Sequence, residues 1–385
     1  MLHDVLVVGG GPGGLFVAER LARAGLDTLV CEEHSTVGEP VHCTGIVATE
    51  SFDEFDLPRD ATLNMLVAVR FVSPRGVVVH YKAPAALAAV IDRPTFDRSL
   101  AERAQAAGAR IRTGARVSTL DPGASCVRVT VGGDMVAARL VILACGASYA
   151  FQRRLGLGLP KAYLHTAQRE LPAERHADVE LHFGRQVAPE GFAWAVPVIR
   201  PDGLYVRVGV MAARDAVGCY SRMLERIRER WGVTAGHAPP RQKILPLGTI
   251  GRTVGDRIIA IGDAAGLVKP TTGGGIYYSI LSASLAADVA IGALRRDILT
   301  ADVLSEYECG WRQQLDDELT AQRELRNVAA PLSDEAIDGL FELAHTDGIM
   351  PIVRATARFN RHRDLIWALL KHPPARNILF RSVLG

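Results

Sequence analysis

Residues 4–15 read Asp4-Val-Leu-Val-Val-Gly-Gly-Gly-Pro-Gly-Gly-Leu15. Val5 to Val8 make an apolar, β-branched-rich run, the pattern of a strand buried on both faces. Gly9, Gly11 and Gly14 then supply G-x-G-x-x-G, with Pro12 and Gly13 inside it, and apolar residues return at helical spacing from Leu15 to Ala24. The turn needs glycines because backbone N–H groups must come close to a pyrophosphate. The helix that opens there adds its own unsatisfied N–H groups and the positive end of its dipole. A second strand, Thr28-Leu-Val-Cys31, leads to Glu32, eighteen positions after Gly14, where a carboxylate holds ribose hydroxyls; Glu33 is the next candidate. The glycine motif alone is a weak signal. Strand, turn, helix, strand and acid in this order predict a dinucleotide site.

Four more stretches point to the same place. Gly38-Glu-Pro-Val-His-Cys-Thr-Gly-Ile46 has no periodicity and reads as a loop leaving the carboxyl end of the second strand, the edge where α/β sheets bind ligands. Thr44 and Gly45 are thereby set beside the cofactor, and Cys43 becomes the candidate reactive centre, against the alternative of a structural thiol. Leu140-Val-Ile-Leu-Ala-Cys-Gly146 is another buried strand ending in glycine, which brings Ala144 and Gly146 to the site. A third buried strand, Ile258 to Ile261, delivers Asp263 into a turn beside Gly262, where a carboxylate accepts hydrogen bonds from polyol hydroxyls. Lys269-Pro-Thr-Thr-Gly-Gly-Gly275 then opens an apolar helix. Gly273, Gly274, Gly275 and Ile276 would present N–H groups to a ring that becomes anionic on reduction.

Between these pieces the period changes. Val67–Val72 and Val77–Tyr81 alternate around Ser73-Pro-Arg-Gly76, a hairpin that interrupts the nucleotide-binding pattern. Ile91-Asp-Arg-Pro-Thr-Phe-Asp97 leads into a helix from Phe96 to Gln105, with Thr95 as its expected N-cap. From Tyr163 to Val210 alternating runs predict an antiparallel sheet with one covered face, and Ala216 to Trp231 an amphipathic helix closed by Gly232. The chain is helical from Ala301 on. Its end, from Arg354, carries Arg354, Arg358, Arg361, Arg363, Lys371, Arg376 and Arg381 against Asp364 alone, interleaved with Phe359, Ile366, Trp367 and Phe380. Such a segment suits a membrane surface, or a helical lid packed on its own protein.

A length of 385 residues with 48% hydrophobic and 22% charged residues describes an ordinary globular chain of about two domains. A net charge of +2 gives no argument for a nucleic-acid partner. Cysteines at 31, 43, 126, 145, 219 and 309 form no C-x-x-C pair, so no metal site is expected, and scattered thiols in apolar strands suit a reducing compartment. The first strand begins at once, which leaves no room for a signal peptide. Gly273 to Leu294, with Asp288 as its only charge, is long enough to span a membrane. Rich in Gly, Ala and Ser and following a cofactor motif, it reads instead as a buried helix.

Taken together, G-x-G-x-x-G with Glu32, Asp92-Arg93 with Phe96-Asp97, and Gly262-Asp-Ala-Ala-Gly266 resemble the FAD-dependent oxidoreductases of the para-hydroxybenzoate hydroxylase type over residues 1–300. The resemblance implies FAD, with Glu32 on the adenosine ribose, Arg93 near the flavin's sugar or phosphate part and Asp263 on the ribityl chain. It also implies a discontinuous Rossmann-like FAD domain (1–60, 90–160 and 245–300), an inserted antiparallel-sheet substrate domain (61–89 and 161–244) and a helical region, 301–385. Within that group the chain is similar to geranylgeranyl reductases. Pro40-Val-His-Cys-Thr-Gly45, Gly191-Phe-Ala-Trp-Ala-Val-Pro197 and Lys269-Pro-Thr-Thr-Gly-Gly-Gly-Ile276 resemble their cysteine loop, their Trp-bearing strand and their flavin loop. Ala195-Val196 and Val198 depart from that pattern, and Phe192 with Val196 argues against the Trp-x-Trp-x-Ile-Pro run of flavin halogenases.

The implied activity is reduction of an isoprenoid double bond by hydride from reduced flavin N5. Cys43 would then be a proton donor or shape the pocket, and Phe192, Trp194 and Tyr205 would line an apolar tunnel. A flavin monooxygenase and a membrane-docking flavin electron carrier are the rival readings. No second G-x-G-x-x-G appears, so the reductant is open between NAD(P)H and a reduced electron carrier. The expected location is cytoplasmic, with peripheral contact on the inner membrane face.

Overall fold

In the computed structural model, residues 1–234, 239–346 and 348–384 are described, the side chains of 380–384 excepted. Leu2–Val8 is the centre of an eight-stranded sheet, flanked by Thr28–Cys31 on one side and Asp134–Leu143 on the other, all parallel. Ile258–Ala260 and Arg110–Arg112 extend this parallel core outward. Val5, Leu6 and Val7 are wholly inaccessible, as a strand covered on both faces requires. The connections leave Leu2–Val8 in opposite directions, so a crevice opens at its carboxyl end, where the glycine loop lies.

Pro12–Arg23 and Ile276–Arg296 pack together over this sheet. Their approach depends on Gly13, where any Cβ would strike the Ser279 side chain. Asp288 is not an orphan charge: Arg20 reaches it at 2.8 Å. Ile276–Arg296 has the length and composition of a membrane span, yet 56% of its most apolar window is buried inside the protein. It serves as a core helix. Ala301–Ala329 crosses behind, with Tyr307 donating to the Ala260 carbonyl at 2.8 Å and Trp311 to Thr253 at 3.0 Å.

A second sheet has seven strands: Arg241–Pro246, Tyr163–Pro172, Gly203–Ala212, Phe192–Arg200, Val179–His182, Ala68–Val72 and Val78–Lys82. It is antiparallel except at one junction, where Val179–His182 runs parallel to Ala68–Val72. That junction joins two distant parts of the chain, which a local hairpin cannot do. Ala216–Trp231 covers its outer face, ended by Gly232 at φ +60°. A third sheet of Ile46–Ala48, Ala88–Ile91 and Thr62–Leu66 takes residues from both sides of the boundary expected at residue 60. The architecture is mixed α/β, with eleven α-helices among the described residues.

One local expectation is corrected. The helix after Ile91 runs Arg93–Ala106 and is capped by Asp92, whose carboxylate accepts from Thr95 N at 3.1 Å. Thr95 therefore sits inside the first turn and Pro94 occupies a position where no N–H is required.

Candidate functional site

A cavity of about 2380 Å³ runs from the glycine loop of the first sheet, past the inner face of the seven-stranded sheet, to the C-terminal helices. Drug-sized sites occupy ~300–1,000 Å³, so this one has room for a large cofactor and a second long molecule.

At one end the loop Gly9–Gly14 leads into Pro12–Arg23, whose N-terminus is capped by no side chain. A Cβ at Gly9 would collide with the Ala144 carbonyl, and one at Gly14 with the Gly9 carbonyl. Both glycines are thus imposed by close backbone contact. Glu32 accepts from Gly10 N at 2.7 Å and from His34 N at 3.0 Å, which holds its carboxylate against the loop. Glu33 lies on the rim, half exposed, 3.7 Å from Arg116. These features fit a dinucleotide: free N–H groups at a helix start, a backbone without side chains in the way, and a fixed acid for the ribose.

Arg93 is held by Asp97 through contacts of 2.8–3.2 Å. Burial opposes its charge, but Asp97 and then Cys43 outweigh this and raise its pKa. Asp263 faces Gly275, where a Cβ would stand 2.8 Å from its Oδ1, so the two late motifs meet. Burial pushes the Asp263 carboxyl pKa up, against Lys243 and Arg93, which pull it down. Ile276–Arg296 starts at Gly275 without a side-chain cap, leaving its N–H groups open to the cavity.

Cys43 lines the cavity beside these groups, and Gly45 N donates to its Sγ at 3.3 Å. Its neighbour His42 has a buried Nδ1 with no partner among the described residues. Burial, then the charges of Lys243, Arg241, His34 and Arg93, lower the His42 pKa to about 4. A neutral imidazole with an unmet nitrogen beside a glycine cradle suits a polar ligand that completes it.

The other arm of the cavity is apolar. Phe71, Phe183, Phe192 and Trp194 follow one another at centroid distances of 5.8–6.5 Å, and Phe341 branches off at Phe183, 5.8 Å away. Trp194 lies across Gly209, where any side chain would meet its ring, and donates to Gln168 at 3.2 Å. The far wall comes from four helices, Asp334–Thr346, Ile349–Thr356, Arg363–Lys371 and Pro373–Leu384, through residues such as Leu340, Met350, Val353 and Leu369. Of the two readings of the basic C-terminal segment, the lid is realised in this packing. The side chains of Phe380 and Arg381 lie outside the described residues.

Two expected site residues fall elsewhere. Tyr205 is absent from the lining. Its hydroxyl donates to Asp202 at 2.8 Å and its ring packs under Arg200; it shares the tunnel-side face with Gly209 and Met211 but is paired with Val198, beyond Trp194 toward the turn at residues 200–203. Gly262 is buried behind the wall, where a Cβ would strike Ser279, so it serves strand–helix packing. Every other expected residue lines the cavity, from Gly9, Gly11, Pro12 and Gly13 through Thr44, Ala144 and Gly146 to Gly273 and Gly274. Four residues went unforeseen: His42, Gln168, Lys243 and Phe341. His42 stands inside the cysteine loop, next to Cys43, while Gln168, Lys243 and Phe341 stand in no motif and are brought in by strand register and helix packing.

A family model described as lycopene cyclase protein matches residues 4–332. The digeranylgeranylglycerophospholipid reductase of Methanocaldococcus jannaschii is 30% identical over 364 residues, 89% of this chain and 90% of that protein. A geranylgeranyl bacteriochlorophyll reductase-like protein from Thermoplasma acidophilum has the same fold, with a TM-score of 0.83 at 23% identity over 99% of both chains. The halogenase PltM, in complex with phloroglucinol and FAD, also shares it, with a TM-score of 0.70 at 16% identity over 98% of this chain and 85% of that one. The chain therefore belongs to the protein family of the lycopene cyclase model and, through relatives that match most of its length, to the geranylgeranyl reductases among the FAD-dependent oxidoreductases.

Proposed function

We propose that the protein reduces carbon–carbon double bonds of isoprenoid chains carried on lipids, with FAD as its cofactor. One observation carries this reading: a single cavity joins a dinucleotide cradle to a long aromatic and aliphatic arm. An isoprenoid double bond has no carbonyl to polarise. The protein's contribution is to lay the chain flat at near-attack distance and to keep water out. FAD, when bound and reduced, supplies the hydride.

Glu32 would hold the adenosine ribose, the Gly9–Gly14 loop the pyrophosphate, and Arg93 and Asp263 the sugar-phosphate and ribityl part. Gly273 to Ile276 would face the pyrimidine edge of the ring. Cys43, beside Arg93, is the candidate to deliver a proton to the second alkene carbon. Phe192 and Trp194 would seat the chain, with the seven-stranded sheet as the substrate-side layer and the C-terminal helices as its cover. The reductant is NAD(P)H or a reduced electron carrier. Substrates of this class reside in bilayers, so peripheral contact with the inner membrane face through the basic end is part of the proposal.

The test is anaerobic incubation of reduced enzyme with geranylgeranyl lipids, followed by mass spectrometry. The expected product gains the mass of one H₂ per double bond. Turnover only with oxygen would identify a monooxygenase, and flavin reoxidation with unaltered lipid an electron carrier. A new product of unchanged mass would indicate cyclisation.

A further inference from the structure

We propose that Arg207 is a positioning residue for the Cys43 loop, holding it against the seven-stranded sheet from outside the cavity wall. The inference rests on the reading that Cys43 acts at the reacting face.

Arg207 lies on Gly203–Ala212 and is 2% exposed. Its Nη1 donates to the Thr44 carbonyl at 2.6 Å and the Ile91 carbonyl at 3.0 Å, while its Nε donates to Glu170 at 2.7 Å. The same guanidinium thus ties three strands of chain: the residue after Cys43, the end of Ala88–Ile91, and Tyr163–Pro172. Glu170 also receives Arg200 at 2.6 Å, and Arg200 reaches Asp92 at 2.9 Å. Asp92 caps the helix that carries Arg93. An unbroken run of charge-assisted bonds therefore links the Cys43 loop to the helix start that sets Arg93 beside it. Arg93, Arg200 and Arg207 are matched by Asp97, Asp92 and Glu170, so the buried network carries no net charge.

Two details show that the loop is built around this side chain. Gly45 is at φ +69°, and a Cβ there would stand 2.6 Å from Arg207 Nη1, so glycine is required for the guanidinium to fit. Thr44 is held a second time, its hydroxyl donating to Gln168 at 2.5 Å, and Gln168 also receives Trp194. The loop and the aromatic wall are registered on one sheet. Lysine could not replace Arg207, since a single ammonium on a flexible stem cannot serve a carboxylate and two carbonyls in a fixed fork.

The test compares Arg207→Lys with wild type as FAD-loaded enzymes. FAD content, kcat and KM are measured, together with the rate at which iodoacetamide labels Cys43, read by peptide mass. The expected result is retained FAD, a KM within about twofold, a kcat lower by about 10- to 100-fold, the cost of a misplaced reacting group, and several-fold faster labelling of Cys43. Unchanged kcat and labelling would overturn the proposal. So would a loss of activity that only parallels loss of FAD, because that would mark a purely structural role. Should Arg207→Lys fail to fold, Glu170→Gln decides by the same readouts: it keeps Arg207 in place but weakens its anchor, and smaller shifts in the same direction are expected. Cys43→Ser separates the two readings. If it leaves the rate intact while Arg207→Lys still speeds labelling, the role of Cys43 fails and the positioning by Arg207 stands.

Discussion

Glu32 meets the glycine loop through Gly10 N and fixes His34 beside it, so its carboxylate is oriented before any ligand arrives. Glu32→Ala should weaken FAD binding by about 1.5–3 kcal/mol, the range for hydrogen bonds to a charged group. Equilibrium titration of the apoprotein checks this, and an unaltered affinity would move the role to Glu33. Trp194 offers a second test at this scale. Its ring lies on Gly209 because that residue has no Cβ. Gly209→Ala should push the ring toward the tunnel and raise KM for a long prenyl chain by about tenfold or more, with FAD retained. An unchanged KM would show that the chain does not pass the ring.

The loop Lys269–Gly275 and the segment leading into Arg363–Lys371 act as one element. Lys269 Nζ donates to Phe359 O and Asn360 Oδ1, each at 2.8 Å, and Thr271 bonds Gln322 at 2.9 Å and His362 at 2.8 Å. Asn360 in turn donates to Ser51 at 3.0 Å. Burial, against the charges of Glu50 and Glu318, lowers the Lys269 pKa from 10.5 to about 7. Between those values the unfolded chain holds a proton that the folded one has released, so this group makes stability rise with pH across that window. Lys269→Met should flatten that rise, as read from urea midpoints at several pH values. It should also speed hydrogen exchange in Ile349–Lys371, since two bonds that dock the lid are lost. Unaltered exchange there would mean that the lid is held by its apolar contacts alone.

At the scale of the molecule, the open question is how a cavity of this size receives a lipid. The lid's outer side carries Trp367, 50% exposed, among basic residues. Each Lys or Arg near an anionic leaflet contributes on the order of 1 kcal/mol, screened by salt. The protein should therefore sediment with anionic vesicles at low salt and be released at high salt. Arg363 is already paired with Asp317 at 3.0 Å, so charge reversal is better placed at the exposed Arg358, Lys371 and Arg376. Those variants should lose vesicle binding and keep FAD. Binding that ignores both salt and these residues would assign the contact to apolar surface elsewhere.

The nucleotide half was legible in the sequence because its causes are local. Gly9 and Gly14 are imposed by backbone contacts over a few ångströms, Val5 to Val8 by burial on both faces, and Glu32 by its place at the end of a strand. Motifs record constraints of that kind. The substrate half was only partly legible. Alternation predicted strands from Tyr163 to Val210, but it could not say how far along Gly203–Ala212 the tunnel reaches or what covers the rest of that face, and so Tyr205 was placed in the lining and Arg207 unnoticed. Gln168, Phe341 and the bonds of Lys269 to Phe359 and Asn360 join residues far apart in the chain. Such contacts are decided by how sheets and helices pack, and side-chain spacing along one strand carries no record of them.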